Sequence, residues 1–173
     1  MRGIEGVKIV RGAIVGVVSG VIYGPLNWLV INLGINFING NLYWWVTSLI
    51  ARGGYILDCV VQNLISGLVL GLFLGLGFAF LYKKLPGNTS IIKGIVISIV
   101  YWLIIPLGLP ILAYLIRGGF DYFYWGFIYG GMWKATVIGL GPSLLWGWLL
   151  GYFWESDKLR KLSALILSWK EST

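Results

Sequence analysis

The stretch LISGLVLGLFLGLGFAFLYKK, residues 64–84, decides the fold of this chain. Its first nineteen residues carry no charge, and Ser66 is the one clearly polar side chain among them. A helix that crosses the roughly 30 Å hydrocarbon core of a bilayer needs about 20 mainly apolar residues. Because Lys83 and Lys84 end the run as residues at a membrane surface do, the longer stretch 55–82 is predicted to be a transmembrane helix.

Composition extends this prediction to the whole chain. Of its 173 residues, 58% are hydrophobic and 11% are charged, whereas a soluble domain carries about 25% charged residues. The mean hydropathy of +0.87 excludes a soluble globule, a disordered chain and a disulfide-stapled secreted domain. Three further apolar stretches are long enough to span, at about 11–31, 91–116 and 132–154. We therefore predict an all-α integral membrane protein with four transmembrane helices in a single domain, residues 1–173.

The basic residues predict the orientation of the chain. Ten of the thirteen Lys and Arg residues lie in the N-terminal segment, around the connection 83–93 and in a basic tail, 156–173. Arg52 and Arg117 lie on the opposite side, and Lys134 falls within a span. Because cytoplasmic loops are enriched in Lys and Arg, both termini are predicted to be cytoplasmic, in the plasma membrane. Nucleic-acid binding is disfavoured, since the charges flank spans and form no basic domain.

The connections between the spans differ in character. The outer segments 42–51 and 120–129 are rich in aromatic residues and too short to span, which predicts interfacial segments at headgroup depth. A binding platform for an aromatic ligand is the alternative. In the inner connection, Pro-Gly is followed by Thr89 and Ser90, either of which can cap the next helix. Three prolines in the outer parts of the spans should kink or end their helices: Pro25, Pro106 and Pro110.

Two offsets within the chain predict a tandem duplication. A shift of 82 places Gly12 on Gly94, and a shift of 76 places Gly71 on Gly147. Each half, 1–86 and 87–155, then consists of a helix, an outer aromatic segment and a second helix. Two spans per unit give both halves the same orientation, so the predicted symmetry is a pseudo-two-fold axis along the membrane normal.

Small residues recur every four positions in three of the spans. Residues four apart lie on one helix face, and a row of glycines lets neighbouring backbones approach closely where lipid supplies no hydrophobic drive. The rows predict packing within the monomer or, alternatively, a seam between subunits. The predicted helix-packing residues are Gly12, Gly16, Gly20 and Gly24 in the first span, Gly67, Gly71 and Gly75 in the second, and Gly147 and Gly151 in the fourth.

The inventory of reactive side chains disfavours enzyme chemistry. The chain has no His, a single cysteine, Cys59, and six acidic residues. It has no nucleophile-elbow or phosphate-loop motif. We therefore expect no cofactor, no metal site and no catalytic residue, with a membrane enzyme using Asp58 or Asp121 as the remotest alternative. The scarcity of thermolabile side chains favours a thermophilic source.

Ionisable groups inside membrane spans are candidates for function. Asp58 and Lys134 coincide under the shift of 76, and we predict that they form an ion pair near the outer surface. Gln62, Asn63 and Asn27 lie at a similar depth. These side chains are predicted either to form an outward-opening polar pocket for an ion or small solute, or to hydrogen-bond one another without a ligand.

The sequence thus predicts a non-catalytic subunit or scaffold that packs against other membrane helices through its glycine rows. Its expected partners are the lipid bilayer and either further copies of itself or the other subunits of a membrane complex, with no nucleic acid. The alternative is a small oligomeric channel or transporter that uses the outer polar side chains. The two differ in whether those side chains face a water-filled cavity or each other.

Overall fold

A computed structural model describes residues 2–51 and 53–172, so Arg52 lies outside the described residues. Every regular element in these two ranges is helical. The helices are α1 (Arg2–Ile38), α2 (Leu42–Ala51), α3 (Gly53–Leu81), α4 (Ser90–Trp102), α5 (Leu109–Phe123), α6 (Met132–Ile138), α7 (Leu140–Glu155) and α8 (Asp157–Ser172), with π-helical turns at Leu103–Gly108 and Tyr124–Tyr129.

Four segments are long and apolar enough to cross a membrane, which confirms the predicted number of spans and the all-helical membrane class. The first two are Gly6–Ile38 within α1 and Leu57–Leu81 within α3. The third, Ser90–Arg117, joins α4 to α5 through the first π-helical turn, and the fourth, Met132–Glu155, combines α6 and α7. The first span continues past its predicted end because no charged residue interrupts it before Ile38.

Thr89 begins the third span as its N-cap, as the sequence predicts. Its Oγ1 accepts a hydrogen bond from the Ile92 N–H at 3.3 Å. The N–H of Ser90, another of the open donors at a helix start, donates to Oε1 of Glu155 at 3.2 Å. The beginning of α4 and the end of α7 are therefore held together.

The prolines are accommodated without ending the spans. Pro25 lies inside α1, which continues to Ile38. Pro106 lies in the π-helical turn Leu103–Gly108, where the Leu109 N–H bonds the carbonyl of Ile104, five residues back. A π-turn locally widens the helix, and Pro110 follows in the first turn of α5, where proline is best tolerated.

The two aromatic connections differ from each other. Residues 42–51 form α2, a separate short helix, whereas residues 120–129 comprise the end of α5 and the second π-helical turn. The chain turns at Gly119, with φ 69°, and again at Gly131, with φ 76°. A Cβ at Gly126 would meet the ring of Tyr114, whereas a straight helix would separate these two residues by about 18 Å. The segment 120–129 therefore folds back beside the third span, which ends at Arg117.

The predicted basic tail, 156–173, is helical over most of its length as α8. It packs against α1, and Ser163 on its inner face is fully buried. The Ser163 hydroxyl donates to the carbonyl of Arg160 at 2.8 Å, so its polar group is satisfied within the helix.

The four spans form a ring in the order α1, α3, α4, α7. Packing is extensive between α1 and α3, between α4 and α7, and between α7 and α1, and sparse between α3 and α4. The hydrophobic core inside the ring consists of Val15, Tyr23, Leu74, Phe78, Ile97, Trp146, Leu150 and Trp154. We call the end of the ring with residues 6–11, 82–93 and 155–161 the basic end, and the end with residues 36–45 and 114–134 the aromatic end.

The glycine rows of α1 and α3 face each other along one seam. A Cβ added at Gly12 would lie 2.6 Å from the carbonyl oxygen of Gly75, a distance that real Cβ atoms essentially never show. At the other end of the seam, Gly24 fits against the carbonyl of Asn63. The glycines between these ends, Gly16 and Gly20 on α1 and Gly67 and Gly71 on α3, contact each other's backbones in the same way.

A second seam of small residues joins α4 to α7. A Cβ at Gly94 would lie 2.9 Å from the backbone nitrogen of Gly151, and one at Gly147 would lie 2.8 Å from the carbonyl carbon of Gly94. Ser98 completes the seam, fully buried, with its hydroxyl donating to the Ile95 carbonyl at 2.8 Å. The glycines named from the sequence thus pack against other backbones of the same chain.

Candidate functional site

The polar side chains predicted near the outer surface lie toward the aromatic end of α1 and α3. Asn63 donates from Nδ2 to the carbonyl of Cys59, one turn back on α3, at 2.7 Å. Asp58 and Gln62 on the same helix are exposed, and Asn27 on α1 is half-buried. No hydrogen bond joins these four described side chains to one another, so the predicted hydrogen bonding among them is not present.

The predicted ion pair between Asp58 and Lys134 does not form. The Lys134 ammonium donates instead to Oδ1 of Asn39 at 3.2 Å, and Asp58 has no ion-pair partner within 4.0 Å among the described side chains. The ring order explains the difference, because α3 and the fourth span are diagonally opposite and each packs on α1. The pairing across a symmetry axis would need Asp58 to point inward, whereas it is exposed.

Lys134 and Asn39 line an open cavity of about 560 Å³ at the aromatic end. Its wall also includes Gly126, Gly130 and Gly131, which add no side-chain volume. The cavity therefore presents one cation and one amide to whatever enters from the aromatic end.

A buried cluster in the middle of the spans joins α1, α4 and α7. Trp146 is fully buried, and its indole N–H donates to Oγ of Ser19 at 3.1 Å. Its ring stacks on Tyr23 with the ring centroids 4.0 Å apart, and meets Tyr101 edge-on at 5.0 Å. The side chains of Tyr101 and Ser143 lie near the Tyr23 hydroxyl. We call these five residues the central cluster.

The central cluster lies close to the bilayer midplane. Trp146 precedes Glu155 by nine residues, which is about 14 Å along the helix, roughly half of the 30 Å hydrocarbon core. A buried polar group left unpaired costs about 1–3 kcal/mol, and the serines of the cluster avoid this cost. Ser19 donates to the Gly16 carbonyl at 3.1 Å, and Ser143 donates to the Gly139 carbonyl at 2.9 Å.

Sequence reasoning did not single out the central cluster. Trp and Tyr are enriched at membrane interfaces, so aromatic residues were assigned to the membrane surface. The available signal was spacing: Ser19 and Tyr23 are four apart, Ser143 and Trp146 are three apart, and both pairs fall mid-span. Polar groups on one helix face at that depth indicate contact with another helix.

At the basic end, two aromatic rings stack between two cations. Trp154 and Tyr82 stack with centroids 5.0 Å apart. The Arg11 guanidinium lies 4.8 Å from the Trp154 ring centre, and the Lys93 ammonium lies 4.3 Å from the Tyr82 ring centre. The Tyr82 hydroxyl also bonds the Ser90 hydroxyl at 2.6 Å. Each cation–π contact stabilises by about 0.5–2 kcal/mol, so this stack fixes all four spans at the basic end.

The described side chains offer little reactive chemistry. No three His, Cys, Asp or Glu residues among them lie close enough to hold a metal ion. Cys59 is a buried free thiol. The central cluster consists of neutral hydroxyl and indole groups, of which Ser19, Ser143 and Trp146 are hydrogen-bonded within the chain, and it has no charged base beside a nucleophile.

Comparison of the chain with protein-family models, with curated proteins and with solved structures gave no match. The class of the protein therefore follows from its helices: four of them are long and apolar enough to cross a membrane, and they pack into one ring around an aromatic core.

Proposed function

We propose that this protein is a non-catalytic integral membrane subunit or scaffold, which associates with a partner's transmembrane helix through its lipid-facing surface. The observation that carries the proposal is the closed interior. Trp146, Phe78 and Leu150 are fully buried in the centre of the ring, and the glycine rows are occupied by each other. A chain with a filled centre and little mass outside the spans interacts mainly through its outer faces.

We propose that the basic end faces the cytoplasm, with both termini inside and the protein in the plasma membrane. The support is the distribution of Lys and Arg, ten of which the sequence assigns to the basic end and its two terminal segments. The cation–ring stack at this end is of the kind that sits at headgroup depth, where Trp and Tyr have one apolar and one hydrated side.

We further propose that the two helix pairs are a tandem repeat, with the first helices offset by 78 and the second by 76. Gly94 packs against Gly147 and Gly151 as Gly16 packs against Gly71 and Gly75. The offset of 82, which aligns Gly12 with Gly94, shifts α4 by one helical turn relative to the alignment of Gly16 with Gly94. The offset of 78 also sets Tyr23 on Tyr101, and these two tyrosines meet inside the ring, as equivalent residues near a two-fold axis do.

The repeat is least symmetric between α3 and α4. In the proposed repeat, α1 corresponds to α4 and α3 to α7, so the α3–α4 side corresponds to the side between α7 and α1. There the Trp146 indole lies against Tyr23. An offset of 76 sets Leu70 on Trp146, and the smaller side chain leaves an apolar groove of about 380 Å³. The groove is lined by Leu70, Phe73, Leu74, Ile97, Val100, Tyr101, Ile104 and Ile105.

This groove is the proposed contact for the partner helix. Helices associate in lipid through van der Waals packing rather than hydrophobic transfer, so a concave apolar face gives more contact than a flat one. The equivalent α1–α7 side of the same chain is already closed in this way, by the large side chain of Trp146 projecting from α7.

Site-specific photo-cross-linking in native membranes tests the proposal. A photoreactive phenylalanine analogue replaces Phe73, which is 67% exposed in the groove, or Trp148, which is 41% exposed on the outer face of α7. The two positions lie at similar depth, eight residues before Leu81 and seven before Glu155. We expect one discrete protein adduct from position 73 and none from position 148.

A groove-filling variant makes the test specific. Leu70→Trp places an indole at the repeat equivalent of Trp146 and should abolish the adduct from position 73. Leu68→Trp, at a residue of α3 that is 42% exposed and outside the groove, should leave the adduct intact. Equal adducts from positions 73 and 148, or an adduct that survives Leu70→Trp in a stably folded protein, would contradict the proposal.

A small oligomeric channel or transporter is the second candidate, favoured by the cavity that Lys134 and Asn39 line at the aromatic end. Because the ring itself is closed, conduction would require several copies. This candidate predicts a homo-oligomer by native mass spectrometry and anion flux in proteoliposomes that Lys134→Met reduces. A single copy bound to a different subunit would contradict it.

A further inference from the structure

An open cavity of about 250 Å³ lies between α1 and the end of α3 at the basic end. The glycine seam ends where Gly12 meets Gly75 and Ala79. One turn beyond it, Lys8 from α1 and Lys83 from the end of α3 line the same cavity, although 75 residues separate them in the sequence. The fold thus places two ammonium groups around one opening.

These two lysines lack acidic partners among the side chains that the structure describes. The two described carboxylates near the basic end are engaged elsewhere: Glu155 accepts a hydrogen bond from the Ser90 N–H, and Asp157 pairs with Arg160 at 3.8 Å. Asp58 and Asp121 belong to other regions of the spans. The cavity therefore has positive charge that the described acids do not neutralise, which makes it complementary to an anion.

The remaining wall is suited to a lipid. Ile9, Ala79 and Phe80 form its apolar part, and Phe80 is 67% exposed. Tyr82, also in the wall, belongs to the cation–ring stack that marks the headgroup level. An amphipathic ligand with a negative head and an apolar tail matches both parts, and basic pockets between membrane helices bind such head groups.

We propose that this cavity binds the phosphate of an anionic phospholipid from the surrounding leaflet, with an acyl chain lying against Ile9 and Phe80. The lysines act as point charges on the phosphate oxygens. The site belongs to the first helix pair only. At the repeat offsets, the positions equivalent to Lys8 and Lys83 are Pro86 and Leu159, which carry no charge.

Native mass spectrometry of the purified protein with phosphatidylglycerol or phosphatidylcholine tests this site. We expect the wild type to retain one phosphatidylglycerol in preference to phosphatidylcholine. The double variant Lys8→Gln/Lys83→Gln should bind phosphatidylglycerol about 30-fold more weakly, the ratio that corresponds to about 1 kcal/mol for each of two lysines.

The matched control removes two charges from the same end outside the cavity. Lys84 and Lys158 are both exposed and do not line it, so Lys84→Gln/Lys158→Gln should change phosphatidylglycerol binding less than threefold. Equal losses in the two double variants would overturn the proposal in favour of diffuse attraction to the whole surface. Displacement of the lipid by millimolar inorganic phosphate would overturn the assignment to a phospholipid. Both readouts are independent of any protein partner.

Discussion

An alanine at Gly71 should destabilise the protein, whereas an alanine at Gly77 on the same helix should stabilise it. The Cβ at position 71 would lie 2.9 Å from Cα of Gly20 and 3.1 Å from the carbonyl carbon of Gly16. These are backbone atoms, so the clash can be relieved only by moving α1 away from α3. The Cβ at position 77 would meet only Cδ1 of Ile97, at an ordinary 3.9 Å.

The magnitudes follow from two opposing effects. Overpacking a close contact costs about 1–3 kcal/mol, and the rigid seam places Gly71→Ala near the upper limit. Replacing glycine by alanine inside a helix returns about 1 kcal/mol. We therefore expect Gly71→Ala to lower the free energy of unfolding by about 2 kcal/mol and Gly77→Ala to raise it by up to about 1 kcal/mol.

Equilibrium unfolding in mixed micelles of mild detergent and dodecyl sulfate measures both variants against the wild type. Combining Gly16→Ala with Gly71→Ala extends the measurement, because the first methyl group already separates the helices and the second should add less than its own single effect. If Gly71→Ala and Gly77→Ala shift the unfolding free energy equally, the glycine spacing has no role in packing and the reasoning is refuted.

Three further predictions concern the centre, the aromatic end and the orientation. Trp146→Phe removes the indole N–H that bonds Ser19 and should lower the free energy of unfolding by about 1–3 kcal/mol; a change below about 0.5 kcal/mol would contradict the role of that bond. Asp58→Asn and Lys134→Met should be additive within about 0.5 kcal/mol in a double-mutant cycle, since no ion pair joins them; a larger coupling would show that the two charges interact. A cysteine at the exposed Asn88 should react with a membrane-impermeant maleimide only after the membrane is opened, and labelling from outside intact cells would invert the proposed orientation.

The sequence predicts the number of spans well because that property depends on composition alone. A run such as 64–82 has no alternative to a helix in lipid, where every backbone polar group must be satisfied within the segment. The cap at Thr89 is equally local, because a hydroxyl and Pro-Gly before an apolar run mark a helix start. Both features depend on one continuous stretch of sequence and not on the neighbouring helices.

Helix register and pairing depend on neighbours, and there the sequence is ambiguous. A row of glycines with a period of four can be aligned after a shift of one turn, so both offsets superpose small residues: 82 sets Gly12 on Gly94, and 78 sets Gly16 on Gly94. The contacts of Gly94 match those of Gly16, which favours the offset of 78 for the repeat that we propose. The same ambiguity explains the prediction for Asp58 and Lys134: coincidence under the shift of 76 was taken to mean proximity, whereas their helices are diagonally opposite in the ring.

The central cluster and the groove between α3 and α4 have a single origin in the difference between Trp146 and Leu70. On one side of the ring, the indole contacts Tyr23 and Tyr101 and bonds Ser19, which holds α7 against α1. On the other side, leucine is too small to reach across, and the groove remains. A chain with tryptophan at both positions would fill both sides of the ring and leave no groove beside Leu70. The difference between these two side chains therefore fills the centre of the ring and leaves one lipid-facing side concave, the side that we propose as the contact for another helix.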